Sequence, residues 1–225
     1  MVGAAWFVGK QELQAYLRER FSPAVFLPLS LLLSLAVELG RKGELSLSST
    51  LTLTLVLLLP LLGLRILDDY HDVELDRLRT PDRVLGRSAN PRAYLRISHL
   101  LLLCSWIGAS LLQSSLVPLL GGLLLTALLH AWYTRLRRKL SSIHAAALCL
   151  HCKYPGLVLA LSLCSGEGSG SRLAPILPAV LSVTLLYEFL HDTRYRQAAP
   201  LLTFCWCLTL LLLLLGLLAN LAGVL

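Results

Sequence analysis

The chain has 225 residues, 56% of them apolar and 15% charged (20 Lys and Arg, 13 Asp and Glu), and its mean hydropathy is +0.71. Soluble domains carry roughly 25% charged residues, so this composition excludes a soluble globular protein, a disordered chain and a soluble nucleic-acid binder. The formal charge of +7 then reads as basic loops flanking membrane spans, with lipids and not nucleic acid as the surroundings.

In chain order, residues 1–20 are expected to form a cytoplasmic, interfacial lead-in helix. The segment Gln11–Arg20 is polar and helix-forming, with Leu13, Tyr16 and Leu17 on one side, and the apolar stretch before it is too short for a cleaved signal. Residues 21–225 are expected to form a single transmembrane domain. Its apolar stretches run over about 21–39, 47–67, 94–112, 115–134, 143–163, 173–191 and 199–225, each close to the ~20 residues that cross a bilayer. The fold class is therefore an all-α integral membrane protein, a polytopic bundle of about seven spans. The short loop 113–115 makes the third and fourth spans a hairpin, and Gly166–Ser171 reads as a flexible external turn. The six cysteines fall in or beside apolar stretches and are expected to be buried and unpaired.

The basic residues set the orientation. The N-terminal segment and the second, fourth and sixth connections with their flanks hold sixteen Lys and Arg, against three (Arg41, Lys42 and Arg172) on the other side. Lys153 lies within a span. This bias alternates correctly across seven spans and predicts a cytoplasmic N-terminus with the C-terminus opposite.

Six of the thirteen carboxylates lie between Asp68 and Asp82, directly after an apolar span. On a continuous helix, Asp68, Asp69, Asp72 and Asp76 share an arc of about 100°, with Glu74 pointing away and Arg65 one turn deeper. Carboxylates crowded on one face repel, and a divalent cation is the simplest compensation. Oxygen donors without a Cys/His pair favour Mg²⁺ or Ca²⁺ over zinc, and no calcium-loop glycine spacing is present. The arginines that follow suit phosphate oxygens. A second constellation spans Tyr187–Arg196, where Glu188 and Asp192 lie about 40° apart on a helix, with Arg196 one turn on. A pair of acidic helix ends on one side of a bundle is suited to holding two metal ions across a diphosphate.

These residues resemble the UbiA superfamily of intramembrane prenyltransferases. Asp68-Asp69-x-x-Asp72-x-x-x-Asp76, followed by Arg77 and Pro81-Asp82-Arg83, is similar to the family's first signature, with Asp68 in place of its Asn. Arg18–Pro23 resembles the approach to the family's first span, and Tyr133 with the basic run after it resembles the family's Tyr and Lys/Arg between the fourth and fifth spans. Two departures stand out. The second signature, normally Asp-x-x-x-Asp, is here Glu188-x-x-x-Asp192, and about seven spans fit where the family has nine. The missing pair implies an open cavity or a second chain, either an oligomer or a partner subunit.

The resemblance implies a UbiA-like, prenyltransferase-like domain that uses Mg²⁺ to transfer a prenyl group from a prenyl diphosphate to a lipophilic or aromatic acceptor. It implies Asp69, Asp72 and Asp76 as catalytic metal ligands, joined by Asp68, Glu188 and Asp192. Arg65, Arg77, Arg83, Arg137, Lys139 and Arg196 are the candidate diphosphate contacts. Two other readings remain: a membrane-bound terpene cyclase of the same fold, and a non-catalytic isoprenoid-binding protein. The orientation itself is testable. A glycosylation or thiol-labelling site inserted after Lys139 should be accessible only from the cytoplasm, and one inserted after Gly168 only from outside.

Overall fold

The computed structural model describes residues 8–42, 45–140, 142–163, 169–192, 195, 197 and 199–224. No strand is present among them. The helices are α1 (Lys10–Arg20), α2 (Pro23–Lys42), α3 (Leu47–Arg79), α4 (Val84–Arg87), α5 (Pro91–Gln113), α6 (Val117–Ala131), α7 (Ile143–His151), α8 (Lys153–Ser162), α9 (Ser169–His191) and α10 (Pro200–Val224). A π-helical turn (Trp132–Leu136) and a 3-10 turn (Arg137–Lys139) continue α6.

Seven helices are long and apolar enough to cross a membrane, with α7 and α8 forming one interrupted span. They match the seven apolar stretches of the sequence to within a few residues at most boundaries. The largest difference is α3, which runs without a break from its apolar half into the acidic segment. Its 33 residues extend about 50 Å at 1.5 Å each, against a hydrocarbon core of about 30 Å. Leu47, Leu51, Leu55 and Leu59 form an exposed apolar stripe along its first half. Leu116, Leu120, Leu124 and Leu128 make the same every-fourth-residue stripe at α6, as expected of helix faces turned toward lipid.

Inside the bundle, α2, α3, α5, α6, α8 and α9 pack in that order, and α9 closes back on α2 and α8. The ring is therefore complete without further spans. The last span, α10, packs on the outside of α9 and is the least buried of the seven. Leu33, Leu57, Leu61, Leu64, Trp106, Leu157 and Val158 form the centre of the main core. The lead-in helix α1 forms as the sequence predicts, with Tyr16 fully buried and Leu13 and Leu17 packed beside it over α3 and α5.

Two features differ from the sequence reading. Cys104, Cys149, Cys152 and Cys205 are exposed on the surface of the bundle, because apolar surroundings in a membrane protein include the lipid-facing side as well as the core. Of the Gly/Ser segment 166–171, residues 166–168 lie outside the described residues and Ser169 onward is already helical.

Close helix approach depends on glycine at two places. At Gly63, Ser98 of α5 donates its hydroxyl to the backbone carbonyl at 2.7 Å. At Gly122 of α6, the Trp106 ring lies so near that an added Cβ would sit 2.0 Å from it. Trp106 is buried. Gly122→Ala is therefore expected to destabilise the bundle by about 1–3 kcal/mol, read as a lowered thermal unfolding midpoint in detergent. Gly108→Ala, where nothing lies within 4 Å, is the control that should leave it unchanged.

Candidate functional site at the α1 end of the bundle

Where α3 emerges from its apolar half, its carboxylates meet basic side chains from several other elements. Asp69 is nearly buried and accepts both Nε (3.0 Å) and Nη2 (2.5 Å) of Arg20, a two-pronged ion pair of the geometry that guanidinium groups favour. Tyr16 donates its hydroxyl to the same carboxylate at 2.8 Å, and Arg65, one turn back on α3, approaches it at 3.1 Å. Burial and the adjacent Asp69 charge push the Tyr16 phenol well above its ordinary range, so it remains a hydrogen-bond donor.

Asp68, one residue earlier and about 100° around the helix, is bound by Lys153 of α8 and by the Tyr133 hydroxyl. Asp72 pairs with Arg137 at 2.5 Å, and Asp76 pairs with Arg83 at 2.5 Å. Arg137 would lose basicity through burial, but its hydrogen bond and charge pairing with Asp72 raise it above its usual range. The π-helical turn carries Tyr133, whose ring also stacks on His71 of α3 (centroids 4.5 Å apart, planes 3° apart). Wide turns of this kind often mark functional positions.

A cavity of about 730 Å³ opens beside this array, between α2, α3, α8 and α9. That size falls within the ~300–1,000 Å³ usual for small-molecule sites. Arg20, Arg65, Asp68, Lys153, His151 and Glu188 are among its polar lining. Phe26, Leu29, Leu32, Leu61, Leu64 and Val183 make its apolar part. The α7–α8 span is interrupted at Cys152, where Pro155 has no N–H to offer the His151 carbonyl. His151, Lys153 and Tyr154, flanking the interruption, all line the cavity. His151 Nε2 lies 3.9 Å from Glu188 Oε2, while its buried Nδ1 has no hydrogen-bond partner among the described residues.

The structure thus brings one member of each acidic motif, Asp68 and Glu188, to a shared hollow. The lining of that hollow does not include Asp69, Asp72, Asp76 or Asp192. The first three are held by bases around it. Among the candidate phosphate contacts that are described residues, only Arg65 lines the cavity. Arg77 donates to Glu74 (2.9 Å) and to the Gly86 carbonyl (3.0 Å), Arg83 and Arg137 hold Asp76 and Asp72, and Lys139 is exposed. Arg196 lies outside the described residues.

Arg20, His151 and Lys153 line the cavity but were absent from the sequence-derived site, as were Ser22, Tyr154, Thr184, Tyr187 and His191. Lys153 had a readable signal, as a charge inside an apolar span is usually functional. Arg20 sat in the approach to the first span. His151 had none beyond its nearness to Lys153.

Compensation of the crowded carboxylates therefore comes, in the described structure, from Arg20, Arg65, Arg83, Arg137 and Lys153. Among the described residues, no three His, Cys, Asp or Glu side chains gather to cage a metal ion. Mg²⁺ is commonly held by one or two carboxylates with substrate phosphates and water completing its shell. Asp68 and Glu188, which border the same cavity, are carboxylates of the type that can take part in such a shell.

No family model matches the chain, no curated protein matches it, and no solved structure matches it.

The buried pair between Lys153 and Asp68 has a measurable signature. Lys153→Met leaves Asp68 without its amine, and Asp68→Asn leaves the 3%-exposed Lys153 without its carboxylate. Each single change should cost about 3–5 kcal/mol. The double variant should cost clearly less than the sum of the two, read by thermal unfolding in detergent as a double-mutant cycle.

Proposed function

We propose that the chain is an intramembrane prenyltransferase of the UbiA type, and that the cavity at the α1 end, on the cytoplasmic side by the charge bias, binds a prenyl diphosphate. The observation that carries this reading is one hollow in which three permanent cations and two carboxylates stand against an aliphatic wall. Such a hollow complements a molecule with a multiply charged head and a hydrocarbon tail. The Asp-rich pattern of α3 and the following arginines support the same reading.

In this reading, Arg20, Arg65 and Lys153 receive the diphosphate oxygens, with guanidinium forks well matched to phosphate. Asp68 and Glu188 would hold Mg²⁺, which would supply Lewis-acid stabilisation of the departing charge. Asp69, Asp72 and Asp76 fix the surrounding bases in place. Phe26, Leu29, Leu32, Leu61 and Leu64 take the isoprenoid chain and keep water from the allylic carbon as its C–O bond breaks. An electron-rich acceptor, aromatic or lipophilic, then attacks that carbon and loses a proton. The fixed cations stabilise the leaving diphosphate at no reorganisation cost during the reaction.

A second reading is favoured by one specific observation: the Asp68, Asp69, Asp72 and Asp76 side chains of α3 already have basic partners from the protein. A site complete in this way suits a non-catalytic isoprenoid-binding protein. Purified protein incubated with prenyl diphosphates of graded length, Mg²⁺ and a mixed acceptor pool distinguishes the readings. Transfer predicts Mg²⁺-dependent diphosphate release and a prenylated acceptor by mass analysis. A cyclic hydrocarbon formed without acceptor would instead mean a cyclase, and retention of the diphosphate without turnover would mean a binding protein. Glu188→Gln should lower turnover by about 10²–10³-fold while substrate is still retained. Undiminished turnover in that variant would remove Glu188 from the site.

A further inference from the structure

A second cavity of about 380 Å³ lies at the opposite end of the bundle, between α2, α3, α5 and α8. Arg41 from the end of α2, Gln113 from the end of α5, and Ser48 and Thr52 from the start of α3 border it, with Leu57 and Leu161 among its apolar lining. Arg41 is only partly exposed, and no ion pair or hydrogen bond is found for it among the described residues. Its Nε is buried and has no hydrogen-bond partner among the described residues. Gln113 donates its amide to the Leu161 carbonyl at 3.1 Å, which leaves its buried Oε1 without a donor. Glu38, one turn before Arg41 and fully buried, accepts the Ser49 hydroxyl at 2.9 Å and is not part of the cavity lining.

A guanidinium with unused donors beside an unused amide oxygen selects a ligand with two features. One is an anion to receive the guanidinium, and the other is a hydroxyl or ammonium to donate to the oxygen. The apolar lining adds a third requirement, a hydrocarbon chain. Leu112, which also borders the cavity, is 68% exposed on the outer surface of the bundle. The cavity therefore adjoins the surface turned toward lipid, which favours a ligand arriving from the bilayer over an anion arriving from water.

We propose that this cavity binds the head group of a membrane phospholipid. Arg41 takes the phosphate, Gln113 Oε1 accepts from a head-group hydroxyl or ammonium, and the first carbons of the acyl chains lie along Leu57, Leu112 and Leu161. The site is separate from the diphosphate cavity and does not depend on the reaction proposed there.

Calorimetric titration of the purified protein in detergent tests it with three probes: a short-chain phosphatidylglycerol, a diacylglycerol of the same chain length, and inorganic phosphate. The phosphatidylglycerol should bind, and the other two should bind at least about tenfold more weakly. Arg41→Gln should weaken phosphatidylglycerol binding by about tenfold or more, as loss of a charged hydrogen-bond donor does. Thr52→Phe, which fills the cavity and leaves Arg41 intact, should weaken it as well and keeps the test decisive if Arg41→Gln does not fold. Arg79→Gln, at the other end of the bundle, should bind as the wild type does. Wild-type affinity in a folded Arg41→Gln variant, or in Thr52→Phe, would overturn the site. Inorganic phosphate binding as tightly as the phospholipid would overturn the lipid as its source.

Discussion

The carboxylates of α3 cannot leave water unaccompanied, and their neutralisation by bases from other elements organises one end of the molecule. A charge taken into a bundle costs several kcal/mol unless a partner and hydrogen bonds meet it. Asp69 is met by Arg20 from the end of α1, Asp76 by Arg83 ahead of α4, Asp72 by Arg137 beyond the π-helical turn, and Asp68 by Lys153 of α8. The extension of α3 is thereby tied to four separate parts of the chain. Breaking the Arg20–Asp69 or Lys153–Asp68 pair leaves a largely buried charge stranded, whereas the Arg137–Asp72 pair is about one third exposed and its loss is eased by solvent.

The arrangement also explains the character of the larger cavity. On α3, Asp68 borders the hollow while Asp69 draws Arg20 to its edge. Arg65, a turn deeper, reaches both Asp69 and the cavity. The lining consequently carries more fixed positive than negative charge: Arg20, Arg65 and Lys153 against Asp68 and Glu188. A bare acidic cluster would attract cations, whereas this mixed lining is suited to an anion that can share a cation with it. The apolar wall begins immediately below, because Leu61 and Leu64 precede Arg65 on the same helix.

The two ends of the bundle solve opposite problems. At the α1 end, α3 is too long for the bilayer and carries its charge beyond it, where many bases are available. At the other end Arg41 borders a small cavity, with no ion pair found for it among the described residues. Between them, the helices from α2 to α9 pack in a ring, with α9 against α2. The peripheral position of α10 leaves the lining of the larger cavity to α1, α2, α3, α7, α8 and α9.

Much of the architecture was legible in the sequence because it depends on local properties. Apolar runs of about 20 residues identify spans, alternating basic connections support their count, and the polar segment before Pro23 forms α1 where its composition indicates. Helical periodicity likewise fixes the common arc of Asp68, Asp69, Asp72 and Asp76. Periodicity does not say which neighbour occupies each part of that arc. The partners are 49 residues away for Arg20, 65 for Tyr133 and Arg137, and 85 for Lys153, separations across which no sequence pattern reports contact. Only the tertiary structure could decide that Asp68 and Glu188 border one hollow, that Asp72 and Asp76 turn to arginines outside it, and that His151 and Lys153 enter it. Those outcomes depend on how whole helices pack, and packing is set by the shapes of many side chains acting together.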